Sequence, residues 1–248
     1  MRDGRSQARE VLVHEGTSPC PYLRGETARL PWRLPLRPLT RTEFAQRLSA
    51  GDRRQGMLLY RPACPTCNAC QAIRLDVREF RPSRTQRRVL RRGGQELHIQ
   101  IARPTLTLEK VRLYNRHKVE RGLLVGQELV DPTGYEEFLV DTCAETFELS
   151  YSFRGTLVGV AVTDRAADGL SAVYCFYDPD FGWLSPGTFS ILTQVELCHA
   201  WGLRYLYLGL YVADCAAMAY KARFRPHERL VSGRWVSFDA PPADRCGG

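Results

Sequence analysis

Apolar residues recur every three or four positions in several stretches of this chain and run together or alternate in others. Phe44 and Leu48 follow Thr40-x-x-Glu43, a capping-box pattern, and Gly51 closes the helix they predict. A second helix is predicted from Ser83 to Arg92, ended by Gly93-Gly94, and a third from Leu108 to Arg121, stopped by Gly122. Asp131-Pro132 then caps a helix with Tyr135, Phe138, Leu139 and Cys143 on one face. Strand-like runs follow at Glu148 to Phe153, Leu157 to Thr163 and Ser171 to Tyr177. The short separators, Arg154-Gly155 and the polar loop from Asp164 to Gly169, make these an antiparallel meander. A helix from Thr188 to Trp201 carries Ile191, Leu192, Val195 and Cys198 at helical spacing, stops at Gly202 and leads into a strand from Tyr205 to Tyr211. A crossover of that kind predicts a parallel neighbour in the sheet.

Helix pair, meander, crossover helix and strand is the order of elements in acyltransferases of the N-acetyltransferase (GNAT) type. The expected fold class is therefore α+β: a small N-terminal module, residues 1–103, joined to a GNAT-like mixed sheet with flanking helices, residues 104–248. The first segment is irregular and rich in proline and arginine, and the Pro-Pro and Gly-Gly tail from Pro241 to Gly248 is expected to fray. Coenzyme A enzymes of this type usually hold the pyrophosphate on a Gln/Arg-x-x-Gly-x-Gly/Ala turn at the start of the crossover helix. Here Phe181-Gly-Trp-Leu-Ser-Pro-Gly-Thr188 offers one glycine at the helix entrance, so the expected acyl donor is not coenzyme A.

Charge changes the picture. The 248 residues are 44% hydrophobic, enough for a sizeable core, and 35 Lys plus Arg against 27 Asp plus Glu leave a net charge of +8. Arginines far outnumber acids between Arg74 and Arg103. Phe80-Arg-Pro-Ser-Arg-Thr-Gln-Arg-Arg88 continues to Arg91-Arg92, a Ser-capped helix that is either a phosphate cradle or a solvated basic face. A second cluster, Lys221, Arg223, Arg225, His227 and Arg229, lies far away in sequence. If folding brings the two together, they form a nucleic-acid groove. No apolar run reaches the roughly 18 to 20 residues of a membrane helix, and Met1 to Arg5 lead into no signal-type core, so the expected setting is the cytoplasm with no membrane partner.

Nine cysteines remain to be placed. Cys64-Pro-Thr-Cys67-Asn-Ala-Cys70 spaces three thiols by three, and Cys20 offers a fourth from a preceding loop. That set suits a tetrahedral zinc site or an iron–sulfur cluster, or consists of ordinary half-buried thiols in a proline-rich turn. Cys143, Cys175 and Cys198 lie on apolar faces and read as core. Cys215 and Cys246 have no base beside them that would mark a nucleophile.

The chain resembles the bacterial aspartate/glutamate leucyltransferases, relatives of the eukaryotic arginyl-tRNA-protein transferases. The likeness rests on Cys20-Pro-Tyr-Leu, Thr27-Ala-Arg-Leu, Arg53-Arg-Gln-Gly56, the Tyr60 to Cys70 run and Phe80 to Arg88. It continues through Asp168 to Tyr174, Asp178-Pro-Asp180, Tyr207-Leu-Gly209 and Met218 to Pro226. Family members often carry an aromatic residue where this chain has Asp52, a lysine where it has Ala217, and Ser-Leu-Gly where it reads Ser185-Pro-Gly187. The stretch Tyr-Leu-Gly-Tyr-Trp-Ile reads Tyr207-Leu-Gly-Leu-Tyr-Val212 here. The resemblance implies a cysteine module joined to a GNAT-like domain, leucyl-tRNA as donor and proteins with N-terminal Asp or Glu as acceptors. The product would enter an N-degron route to proteolysis.

An aminoacyl ester is already activated, so attack by an α-amine requires alignment more than strong acid–base chemistry, and no cofactor is required for that step. Arg84, Gln86, Arg87, Arg88, Lys221, Arg223 and Arg225 are the expected contacts to RNA or to the acceptor's acidic side chain. Tyr174, Tyr207 and Tyr220 are candidates for orienting the amine or the terminal adenosine. Asp178 and Asp180 either accept a proton or hold the turn around Pro179, and no catalytic base is assigned. An arginyl donor is the nearest alternative, and a coenzyme A acetyltransferase is disfavoured by the missing turn. A non-catalytic zinc and RNA-binding protein would leave the second half of the chain without a purpose.

Overall fold

The computed structural model describes residues 8–124 and 128–239. Strands β1 (Glu10–His14), β4 (Trp32–Pro35), β5 (Arg53–Gln55) and β6 (Leu58–Tyr60) form a small sheet in the order β1-β4-β6-β5, with the hairpin β2 (Thr17–Pro19) and β3 (Thr27–Arg29) beside it. Helix α1 (Arg41–Ser49) starts where the capping box predicts: Thr40 and Glu43 bond each other's backbone N–H, and Phe44 and Leu48 are buried.

The large sheet runs β14-β13-β7-β12-β11-β10-β9-β8. Its strands are β7 (Gln71–Asp76), β8 (Leu97–Ala102), β9 (Glu145–Phe153), β10 (Thr156–Arg165), β11 (Gly169–Tyr177), β12 (Tyr205–Tyr211), β13 (His227–Val231) and β14 (Arg234–Phe238). The meander β9-β10-β11 is antiparallel, turned between β9 and β10 by Arg154 and Gly155 at φ 49° and 85°, which suits a two-residue hairpin. β11 and β12 run parallel, as the crossover predicts. β7 and β8 come from the segment before residue 104, so that segment contributes to both sheets.

Helices α2 (Arg84–Glu96) and α5 (Pro186–Ala200) cover one face of the large sheet, where Ile191, Leu192 and Val195 pack with Ile73, Leu75, Leu206 and Leu208. Helix α3 (Leu108–Glu120) and helix α4 (Pro132–Tyr135), which continues as a π-helical turn over Glu136–Val140, cover the other face through Tyr114, Tyr135 and Leu139 against Val160, Val162 and Phe176. The protein is thus a mixed α/β structure with one large mixed sheet and flanking helices.

Two expectations need correction. Helix α2 does not stop at Gly93-Gly94 but runs to Glu96. A Cβ on Gly93 would stand 2.3 Å from the Phe189 ring, so this glycine lets α5 approach α2 and marks a helix contact, not an end. Cys143 lies past the π-helical turn and packs with Phe44, Leu48 and Leu59, apart from the Tyr135 and Leu139 face. The frayed tail and Cys246 lie outside the described residues.

Candidate functional site

β11 and β12 pair only from Gly169 to Ser171 with Tyr205 to Tyr207. Past that point each strand needs other partners for its buried carbonyls. Two cationic side chains supply them. Arg53 Nη2 donates to the Ala172 carbonyl at 3.2 Å, and Lys221 Nζ donates to the Leu210 carbonyl at 2.7 Å and touches Met218 Sδ at 3.1 Å. The two meet at Gly209, which has φ 91° and sits in the bulge where β12 changes register against β7. A Cβ there would lie 3.4 Å from Arg53 Nη2 and 3.6 Å from Lys221 Nζ.

Strand alternation explains how Arg53 reaches this place. Successive residues of β5 point to opposite sides, so Arg53 and Arg54 separate. Arg54 forms a bidentate pair with Asp164, both distances 2.8 Å and both side chains buried, and also donates to the Gly56 carbonyl at 2.9 Å. Asp52, in the position before them, is buried and pairs with Arg33 at 2.8 Å and Arg61 at 3.3 Å. Arg53 is 7% exposed and Lys221 is 8% exposed, and neither belongs to an ion pair among the described residues. Burial lowers the pKa of both, and for Lys221 the drop is to about 7, with nearby Arg53 adding to it and Cys215 opposing it. Tyr22 and Tyr60 complete the surroundings. Burial raises both phenols above the usual range, while Arg53 pulls each back.

Tyr220 stands one residue before Lys221 and is 40% exposed, yet its hydroxyl is pushed up to about 12 by burial and by Cys175 and Tyr177. Tyr174 lies on the other face, tilted against Tyr114 at 5.5 Å and edge-on to Phe138 at 5.5 Å. Tyr207 is buried, and its hydroxyl accepts from Arg74 Nη1 at 3.2 Å. Asp178 accepts from the Asp180 N–H at 3.0 Å, and its other oxygen pairs with Arg116 at 2.6 Å, while Asp180 takes the same guanidinium at 2.7 Å. Both carboxylates are held in the turn.

The two basic clusters are neighbours. Gln86 is buried, closes a capping box with Ser83, and donates through Nε2 to the Arg223 carbonyl at 3.2 Å. The Arg81 N–H donates to the Arg225 carbonyl at 3.1 Å, and the Phe80 and Phe224 rings lie 6.3 Å apart. Arg84, Arg87, Arg88 and Arg223 are exposed on the joined surface, and Arg225 is half-buried. Lys221 is turned inward, away from this surface.

The cysteine cluster gathers without closing. Cys20, Cys64, Cys67 and Cys215 all act on Cys70, whose thiol is pushed up to about 12, first by burial and then by these neighbours. All five are free and half-buried. Among the described residues no three His, Cys, Asp or Glu side chains converge closely enough to ligate one ion.

Sequence reasoning placed Arg53 in a motif but not in the site. The available signal was an Arg-Arg pair on a short strand, where one arginine must face away from the other's partner. Among the described residues no helix is long and apolar enough to cross a membrane.

Residues 18–88 match the family model described as arginine-tRNA-protein transferase, N terminus, and residues 109–231 match its C-terminal counterpart. The chain is 41% identical to the aspartate/glutamate leucyltransferase of Alkalilimnicola ehrlichii over 90% of this chain and 93% of the relative. It is 39% identical to that of Chromobacterium violaceum, over 88% and 89% of the two chains, and 38% identical to that of Halorhodospira halophila, over 93% and 98%. Among solved structures it is similar to FemX, with a TM-score of 0.43 and 10% identity over 68% of this chain and 60% of that one. With both halves of the family pattern matched in order and relatives of this identity spanning most of each chain, the protein belongs to the arginine-tRNA-protein transferase family.

Proposed function

We propose that this chain transfers leucine from leucyl-tRNA to the α-amine of proteins that begin with Asp or Glu. The observation that carries the reading is the junction at Gln86 and Arg223, which joins the two basic stretches and leaves Arg84, Arg87, Arg88 and Arg223 exposed. Exposed guanidinium forks suit an RNA backbone. A parallel strand pair that opens after a helical crossover also supports reading the large sheet as an N-acetyltransferase-type frame. The names of the relatives supply the donor and the acceptor.

The reaction is aminolysis of an ester. The α-amine attacks the leucyl carbonyl carbon, a C–N bond forms, the bond to the ribose oxygen breaks, and the amine's proton leaves to solvent or to that oxygen. An α-amine has an ordinary pKa of about 7.7 to 8.0, so a usable fraction is neutral near pH 7. With Asp178 held by Arg116, the protein's part is alignment, which can supply several kcal/mol of barrier reduction. The same reading places the protein in the cytoplasm, with the modified proteins passing to an N-degron route.

A thiophilic metal or iron–sulfur cluster on Cys20, Cys64, Cys67 and Cys70 belongs to this proposal. The donor set suits one, but the thiols as placed do not form a closed ligand shell, and no step of the transfer runs through it. An arginyl donor is the second reading, favoured by the description of the matched family model. The deciding experiment incubates the protein with a mixed pool of charged tRNAs and peptides beginning Asp, Glu, Lys and Ala, followed by mass spectrometry. Leucine on the Asp and Glu peptides alone is the expected result. Arginine, or modification of Lys and Ala peptides, would overturn it.

A further inference from the structure

Arg53 and Lys221 are both more than nine-tenths buried, and the oxygens they reach are the backbone carbonyls of Ala172 and Leu210. A carbonyl satisfies a donor but does not neutralise a charge, and two like charges in a low-dielectric setting repel. The nearest carboxylate to act on Arg53, Asp164, is already bidentate to Arg54. The charged and titratable groups facing the pair are Tyr22, Tyr60, Cys70 and Cys215, and no carboxylate is among them. Gly209 brings both cations against one stretch of bare backbone: a Cβ there would touch Arg53 Nη2 at 3.4 Å and Lys221 Nζ at 3.6 Å.

We infer that Arg53 and Lys221 are the receptor for the acidic side chain of the acceptor, the residues that select N-terminal Asp and Glu over Asn and Gln. The inference rests on the transferase reading above. A carboxylate supplies the countercharge that the two backbone carbonyls cannot. The RNA phosphates have their own partners on the exposed surface of Arg84, Arg87, Arg88 and Arg223. Rejection of the neutral amides follows because an amide brings no charge to offset Arg53 or to hold a proton on Lys221.

Two substitutions separate charge from the bonds the residues already make. Gln at position 53 or 221 removes the cation and keeps an N–H donor on a shorter side chain, so any weakening of the bond to the Ala172 or Leu210 carbonyl falls on both peptides alike while loss of the charge falls on the Asp-peptide. Arg53→Gln and Lys221→Gln are each expected to lower kcat/KM for an Asp-peptide by at least about 30-fold while changing an Asn-peptide by far less, so the ratio between them collapses. Equal losses on both peptides, or an unchanged ratio in variants that melt like the parent, would overturn the assignment.

A measurement on the unaltered protein guards against variants that do not fold. The chain has three lysines, Lys110, Lys118 and Lys221, so protein labelled with carbon-13 on lysine side chains gives three ε-methylene signals, assigned with Lys110→Arg and Lys118→Arg. Without charged tRNA no transfer occurs, and an Asp-peptide should raise the titration midpoint of the Lys221 signal while an Asn-peptide leaves it in place. An Asp-peptide that moves nothing, or uncharged tRNA that moves Lys221 where the peptide does not, would overturn the inference, the latter in favour of a phosphate. If the peptide moves Lys221 but no amino acid is ever transferred, the receptor stands and the transferase reading fails.

Discussion

The side-chain amide of Gln86 donates to the backbone carbonyl of Arg223 at 3.2 Å, across 137 residues of sequence. This bond ties the start of α2 to the turn that carries Lys221. Gln86→Leu leaves that carbonyl without its donor and removes half of the Ser83 capping box. The expected loss is about 1–3 kcal/mol of stability in urea denaturation, with tRNA affinity falling more than acceptor affinity.

The exposed arginines should act on RNA through counterion release. Arg84→Ala, Arg87→Ala and Arg88→Ala are each expected to lower the slope of log affinity against log salt by about 0.7 to 0.9, with acceptor KM unchanged. Filter binding over a salt series checks this, and an unchanged slope for all three would place the RNA elsewhere.

Gly209→Ala forces a Cβ onto a residue at φ 91° and into the space between Arg53 and Lys221. The backbone alone should cost about 1–2 kcal/mol in thermal or urea unfolding. Transfer should fall further than stability does, because the strained backbone at Gly209 carries the stretch of β12 that Arg53 and Lys221 touch, and single-turnover rates with a saturating acceptor read that difference.

Lys221 gives stability a defined dependence on pH. Its folded pKa, about 7, lies below the ordinary 10.5, so between those values the unfolded chain binds more protons and stability rises with pH. Cys143 and Cys198, each pushed from 9.0 to about 12, reverse the trend above pH 9 because the unfolded thiols ionise first. The Lys221 contribution is therefore read between pH 7 and pH 9, on the order of 2 kcal/mol, as the difference between the parent and Lys221→Gln. A difference that does not grow with pH would show that Lys221 is charged in the folded protein over this range.

Protein purified without oxygen should carry zinc or iron, and replacing Cys64 and Cys67 with serine should release it. Elemental analysis with absorption spectroscopy distinguishes the two metals, and active protein free of both removes the metal from the proposal.

Some elements were legible because their causes are local. Helix α1 is written in its capping box, and the end of α3 in Gly122 at φ 62°. β7 was not legible, since Arg74 and Asp76 look like solvent-facing residues. They are buried because Arg74 lies 3.7 Å from the Tyr205 ring centre and 4.0 Å from that of Trp235, and because Arg204 reaches Asp76 at 2.8 Å. Lys221 and Arg223 read alike in sequence, yet one is turned into the protein and the other outward.

By itself the sequence determined the order of elements from α3 to β12, the family pattern and the excess of arginine. These follow from short-range caps, periodicity and composition. Tertiary structure decided which cations are buried and which meet solvent, because that depends on long-range contacts such as the bond from Arg53 to Ala172, 119 residues apart. It also decided that the two basic stretches share one surface and that Asp178 is held by Arg116. A charge acquires its role from the partner it finds, and the chain alone does not say which partner that is.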